Sequence, residues 1–214
     1  MHLAPDFELT RATLVARDFY NRDPRGVSRD ILGKVLIRRR SGKLLAGRIV
    51  EVEAYLGAGD AAAHAAAGRT ARNFVLFGPP GHAYVYFIYG NHYCLNISCL
   101  PDGEAGCILI RALEPLAGIE QMYRARGLQP RGRSTSEMRQ LTSGPGRLAE
   151  AFTITRPRDN TKDLASPESD LQVLDDGFRP LRVAHTPRIG ISKSAEQLLR
   201  YVISGNPFVS GKRA

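Results

Sequence analysis

The chain has 214 residues, 43% hydrophobic and 24% charged, with a formal net charge of +9. That length and apolar content suit a folded protein with a real core, and no linker interrupts it, so one domain over residues 1–214 is expected. No run of about 18 apolar residues occurs, which argues against a membrane span, and Met1-His-Leu-Ala-Pro-Asp-Phe-Glu8 has neither the basic nor the apolar region of a secretory signal.

Cys94, Cys99 and Cys107 are odd in number, with no Cys-x-x-Cys pair or Cys/His cluster. Free thiols packed in strands, a cytoplasmic location and no structural metal are therefore expected. The positive charge points to a polyanionic partner. All but five of the 30 basic residues are arginine, which binds phosphate through a bidentate fork. The Ala, Gly and Pro content carries the same GC-rich bias, so the net charge weighs more than the Arg/Lys ratio.

Asp23-Pro24 opens a short helix with Val27, Ile31 and Leu32 as its apolar residues and Gly33 as its C′ glycine. Residues 34–39 read as a strand, Ser41-Gly42 as a turn, and 44–55 as a second strand. An Ala/Gly-rich loop, 57–73, carries Asp60, His64, Arg69, Arg72 and Asn73, and Pro79-Pro80-Gly81 ends that stretch. Residues 83–98 are two β-prone runs joined by Gly90-Asn91, which suits a two-residue hairpin turn with Tyr89 at the tip. A strand over 106–112 ending in Arg111, a helix over 116–126 and a basic loop over 127–140 follow. Ser143-Gly144-Pro145 reads as N-cap and first turn of a helix over 145–152. A long loop, 155–170, leads to strands near 171–175, 181–190 and 199–204, with a helical turn after Ser194. Strands outnumber helices without a βαβ rhythm, so the class is α+β with mainly antiparallel pairing.

The stretch Arg48-Ile-Val-Glu-Val-Glu-Ala-Tyr55, with His64 nine residues on, carries the chemistry. Period-two alternation sends Val50, Val52 and Ala54 to one face and Ile49, Glu51, Glu53 and Tyr55 to the other. Two acids and a ring beside a histidine are the parts of a pocket that binds a flat ligand and activates a water. The competing reading is a solvated face of an antiparallel sheet, with His64 an ordinary surface or core histidine. Tyr84, Tyr86, Phe87 and Tyr89 crowd the first run of the hairpin, with Tyr84 and Tyr86 on one face. Most of these rings read as core, whereas Tyr89 at a turn tip is as readily a contact residue.

Arg48-Ile-Val-Glu-Val-Glu-Ala-Tyr-Leu-Gly57, Ala62-Ala-His64, Arg72-Asn73, Tyr84-Val-Tyr-Phe-Ile-Tyr-Gly90, Asn96-Ile-Ser98, Leu109-Ile-Arg-Ala-Leu-Glu-Pro115 and Ser143-Gly-Pro145 resemble the ordered motifs of the alkyladenine (3-methyladenine) DNA glycosylases of the mammalian type, not the helix-hairpin-helix type. The resemblance runs from about residue 19 to Ser210. It implies a single compact domain around a curved, mainly antiparallel sheet with flanking helices and a protruding β-hairpin that enters the DNA minor groove.

The resemblance also implies residue roles. Glu53 matches the general base that activates the attacking water, held by Arg111 and the backbone carbonyl near Ile189. Tyr55, His64 and Tyr86 match the walls around the flipped base, Asn96 the residue that excludes the guanine 2-amino group, and Tyr89 the wedge that fills the vacated stack. Arg72 and the Ser143 and Gly144 amides match phosphate contacts. His92 stands where the mammalian enzyme carries a tyrosine, which alters the groove contacts expected there. The expected partner is double-stranded DNA with damaged purines, bound by a monomer that needs no metal or organic cofactor.

Two rival functions fit parts of the pattern. Carboxylates at i and i+2 on a strand lie roughly 6.5–7 Å apart at the backbone, near an inverting glycosidase's spacing. Sugar sites favour Trp, however, and the chain has none. A non-catalytic nucleic-acid module would use the exposed rings and arginines without needing Glu53.

Overall fold

The computed structural model describes residues 9–88, 90, 92–130, 132 and 134–211. The chain enters its sheet through Thr13–Leu14 (β1), then Arg17–Tyr20 (α1) and Pro24–Ile31 (α2). α2 begins and ends as its sequence predicts. Asp23 accepts from the Arg25 amide at 2.8 Å, Pro24 fills the first turn, and Gly33 takes a left-handed φ of 90° just beyond the end. Val27 and Ile31 are fully buried beneath it.

Val35–Arg40 (β2) turns at Ser41-Gly42 into the long strand Lys43–Tyr55 (β3). Ala83–Ile88 (β4), His92–Cys99 (β5) and Gly106–Ala117 (β6) follow. Four helices come next: Ile119–Ala125 (α3), Thr135–Thr142 (α4), Pro145–Ala151 (α5) and Arg156–Asp159 (α6). Leu171–Asp175 (β7), Val183–Thr186 (β8) and Arg200–Ile203 (β9) complete the sheet. Its order is β1-β7-β2-β3-β6-β5-β4, with β9 paired to β3 beyond the end of β2 and β8 paired to β9. Among the described residues these nine strands pair antiparallel and do not close into a barrel, which is the α+β class expected.

β3 is the centre of this sheet. One edge pairs with β6 along its length, and the other is shared between β2 and β9. The main core joins α2–α5 to the sheet, with Val52, Ala54, Ile97, Ile110, Leu148 and Phe152 all within it. A smaller cluster of Ala65, Val75, Leu76, Tyr84 and Cys107 packs with Tyr55 and Tyr86 at the far end of β3. Gly57 is required there. Its φ is 83°, and a Cβ would lie 1.9 Å from the Ala105 carbonyl oxygen, so only glycine lets the chain leave β3 against β6.

Several local expectations need correction. The alternation along β3 fails at Val50, because the register against β6 shifts on both sides of Glu51; Ile49 therefore joins Val50 in the main core. β6 does not stop at 112 but runs to Ala117, with Pro115 paired beside a register shift that tolerates it, so α3 starts only after Gly118. The basic stretch 127–140 contains most of α4, started by a reciprocal capping box between Ser134 and Glu137. Ser143 closes α4 and is not the cap of α5; that cap is Gly144, at φ 126°. The 155–170 loop contains α6, and only 183–186 of the 181–190 stretch is strand. Bends and a turn stand where a helical turn was expected after Ser194. β4 and β5 pair out to Ile88↔His92, and the expected Gly90-Asn91 turn falls partly outside the described residues. The three cysteines are free and buried, in β5 and β6 as expected.

Candidate active site

Glu51 and Glu53 are both fully buried, which removes the solvated-face reading of β3. Each has its charge met, in a different way. Glu51 accepts from Arg111 Nε at 3.0 Å, Arg200 Nε at 2.7 Å, the Ser210 amide at 2.6 Å and the Ser210 hydroxyl at 2.9 Å. It is a structural anchor with its lone pairs engaged. Glu53 Oε1 accepts from the Ile189 amide at 2.7 Å and faces an Arg111 guanidinium nitrogen at 3.2 Å, while Oε2 accepts from the Tyr55 hydroxyl at 2.9 Å. Among the described residues, Oε2 thus keeps one acceptor position without a protein donor.

The three residues that hold Glu53 also line a cavity of about 450 Å³. His64, Tyr86 and Asn96 line it too, so the structure brings together the residues that the sequence placed in the base pocket. The rings of His64 and Tyr86 meet edge to face, 4.5 Å between centroids. His64 Nδ1 lies 3.0 Å from the Tyr84 hydroxyl, and burial, with the charge of Arg72 second, pushes the imidazole below its ordinary pKa. Burial first, then the Glu53 charge, pushes the Tyr55 phenol far above its own, so it stays a proton donor. Burial does the same for Tyr86. Asn96 is fixed by its amide donating to the Tyr84 carbonyl at 3.2 Å. Cys107, on the cavity wall, is pushed up to about 12 by burial, which keeps it an inert thiol. Among the described residues no group of three or more His, Cys, Asp or Glu is placed to hold a metal ion.

Ile189 reaches Glu53 through its amide N–H. Arg72 is exposed beside the His64 loop. The Ser143 and Gly144 amides are already occupied, donating to the Arg139 and Arg111 carbonyls at 3.1 and 3.0 Å, which leaves neither free for a phosphate. Tyr89 lies outside the described residues.

Sequence reasoning missed three groups around the site. Arg200 shares Glu51 with Arg111. Arg188 and Asp60 form a fully buried ion pair beneath Tyr55. Gly146 and Arg147, at the start of α5, form part of the cavity wall beside His92, and a Cβ on Gly146 would meet the His92 ring at 2.9 Å. Arg188–Asp60 and Arg200–Glu51 join residues more than 100 positions apart, and contacts of that span have no local signature.

A sequence model of the methylpurine-DNA glycosylase family matches residues 18–207. A protein of Koribacter versatilis is 64% identical over 209 residues, covering 98% of this chain and 99% of its own. One from Burkholderia cenocepacia is 47% identical over 200 residues (93% and 92%), and one from Chlorobaculum tepidum 43% over 194 residues (90% and 88%). All three carry the provisional name 3-methyladenine DNA glycosylase. These matches put the protein in the class of hydrolases that act on N-glycosyl bonds. The chain belongs to the methylpurine-DNA glycosylase family.

Proposed function

We propose that the protein is a monofunctional DNA glycosylase that takes a damaged purine out of duplex DNA into the cavity and hydrolyses its N-glycosidic bond, leaving an abasic site for base excision repair. The observation that carries this reading is Glu53, buried and held by three groups that themselves line an aromatic cavity. Substrate bases of this class are 3-methyladenine, 7-methylguanine, hypoxanthine and ethenoadenine. The flipped base sits among Tyr55, His64 and Tyr86, and a cationic alkylpurine gains from the electron-rich faces of the tyrosines. Water at the remaining acceptor position of Glu53 Oε2 loses its proton to the carboxylate and attacks C1′. The carboxylate charge also stabilises the oxocarbenium-like state.

Two features favour water as the nucleophile and a single catalytic carboxylate. No lysine is among the described cavity residues, so no amine stands ready for a Schiff base. Glu51, the second acid a sugar hydrolase would need, is taken up by Arg111, Arg200 and Ser210. Asn96 is assigned to the exclusion of 2-amino purines, and Asn96→Ser is expected to admit guanine; unchanged discrimination would remove that role.

The test is free-base release from duplexes carrying one hypoxanthine or ethenoadenine, and from methylated DNA, for wild type and Glu53→Gln. Release by wild type with the strand intact until alkali, and binding without turnover by Glu53→Gln, is the expected result. Equal DNA binding with no release by either protein would make the chain a binding module instead.

A further inference from the structure

Residues 56–66, which carry His64, and residues 187–191, which carry Ile189, are separate loops on either side of Tyr55, and one buried ion pair joins them. Arg188 Nη1 and Nη2 reach the two Asp60 carboxylate oxygens at 2.5 and 2.8 Å, with both side chains fully buried. Asp60 also accepts from the Leu56 and Ala62 amides at 3.2 and 3.1 Å, which shapes the turn leading to His64. Arg188 Nη1 donates as well to the Ala54 carbonyl at 3.0 Å, inside β3 between Glu53 and Tyr55. Its guanidinium lies 4.7 Å from the Tyr55 ring centroid. Tyr55 lines the cavity and Arg188 does not, so the cation covers the ring face turned away from the base. The next residue, Ile189, is the one whose amide holds Glu53.

We propose that Arg188 and Asp60 are a positioning pair that locks the base-binding loop, the Tyr55 wall and the Ile189 amide into one unit around Glu53. The inference rests on Glu53 being the general base and His64 a wall of the base site. A shift of the 56–66 loop is passed through Asp60 and Arg188 to Ile189 and hence to the carboxylate. Arg188 is suited to this task because its planar fork makes both carboxylate bonds, reaches a carbonyl and stacks on a ring at once. Lysine has one nitrogen and no plane, so it can meet the charge of Asp60 without holding that geometry. Burial opposes ionisation of Asp60, but the Arg188 guanidinium and the two amides outweigh it and leave its pKa below the ordinary range. The pair therefore stays charged across neutral pH.

The test compares wild type, Asp60→Asn, Arg188→Lys and the double variant Asp60→Leu/Arg188→Met, with Glu53→Gln as the control for chemistry. Three quantities are read: single-turnover base release, affinity for a duplex bearing an abasic-site analogue, and hydrogen exchange of the Ile189 amide. Arg188→Lys and Asp60→Asn are expected to slow base release about tenfold or more, to change the affinity less than about twofold, and to speed Ile189 exchange. The double variant removes both charges together, so it should recover stability lost by the single ones. It leaves the Ala54 carbonyl and the Leu56 and Ala62 amides without their partners, so base release should stay slow. Recovery of rate together with stability would mean the pair is only structural, and Ile189 exchange unchanged in Arg188→Lys would overturn the lock outright. If Glu53→Gln releases base as fast as wild type, the reading of Glu53 is at fault, and the exchange measurement alone decides the pair. If Asp60→Asn does not fold, Arg188→Lys carries the same comparison with the charge retained.

Discussion

The Tyr55 hydroxyl donates to Glu53 Oε2 at 2.9 Å, so a wall of the cavity and the buried carboxylate are directly bonded. The phenol stays protonated because burial and the neighbouring Glu53 charge both oppose its ionisation. It fixes one lone pair of Oε2 and leaves the other aimed elsewhere. Tyr55→Phe keeps the ring and removes only this bond. A hydrogen bond to a charged group contributes about 1.5–3 kcal/mol, and each 1.4 kcal/mol of barrier is about tenfold in rate. Base release under single turnover is expected to fall about 10–100-fold, with DNA affinity unchanged. A variant that releases base at the wild-type rate would show that Tyr55 acts as a wall and does not orient the carboxylate.

Glu51 stands two residues from Glu53 but has an opposite duty. It is enclosed by Arg111, Arg200 and Ser210 and has no exposed surface. Glu51→Gln takes from the buried Arg200 guanidinium the one carboxylate it meets among the described residues and leaves Arg111 only Glu53, and breaking a buried ion pair from one side costs about 3–5 kcal/mol. The denaturation midpoint in urea should drop accordingly, with the slope of the transition unchanged. A change of under about 0.5 kcal/mol is what an exposed strand position would give, and would contradict the anchor role.

The legible parts of this molecule are those whose cause lies within a few residues. The caps of α2, the β2–β3 turn, the aromatic face of β4 and the strand carrying Glu51 and Glu53 each follow from local spacing. Family resemblance added the association of Glu53 with Arg111, and of Tyr55 with His64, Tyr86 and Asn96, across gaps that periodicity does not bridge. What remained hidden was set by long-range pairing. The bulge at Val50 depends on β6, more than 50 residues away in the chain. α4 has weak apolar periodicity, with Leu141 buried and Met138 only partly so, and is announced chiefly by its capping box. The different duties of Glu51 and Glu53 follow from Ser210, Arg200 and Ile189, none of which is near them in sequence.

His64 supplies a pH test of the cavity. Burial, and then the Arg72 charge, hold its pKa in the folded protein below that of a free histidine. As pH falls through about 6.5, the unfolded chain takes up the proton first. Folding stability is therefore lost from about pH 6.5 downward, and this residue contributes no pH dependence well above that value. His64→Gln should flatten the change in Tm between about pH 7 and pH 5. Asp60 does not confuse this window, because its folded pKa is also depressed and its contribution is lost only below the ordinary carboxylate range, near about 4. Equal Tm profiles for the two proteins would show that His64 is not held neutral by its surroundings.

The hairpin supplies the last test. β4 and β5 remain paired to Ile88↔His92, and both of those residues line the cavity. Tyr89 follows Ile88 directly and is assigned by resemblance to the wedge that fills the space left by the extruded base. Unstacking a paired base costs a few kcal/mol, and an aromatic side chain stacked on a base returns about 1–3 kcal/mol. Tyr89→Ala should therefore slow processing of a lesion in a well-paired duplex about 10–100-fold. The same lesion in a bulge or opposite a gap is already unstacked, so the loss there should be under about threefold. The measurement is the ratio of single-turnover rates in the two contexts for each protein. Equal losses in both would assign Tyr89 to holding the base or the backbone, and the wedge role would have to be abandoned.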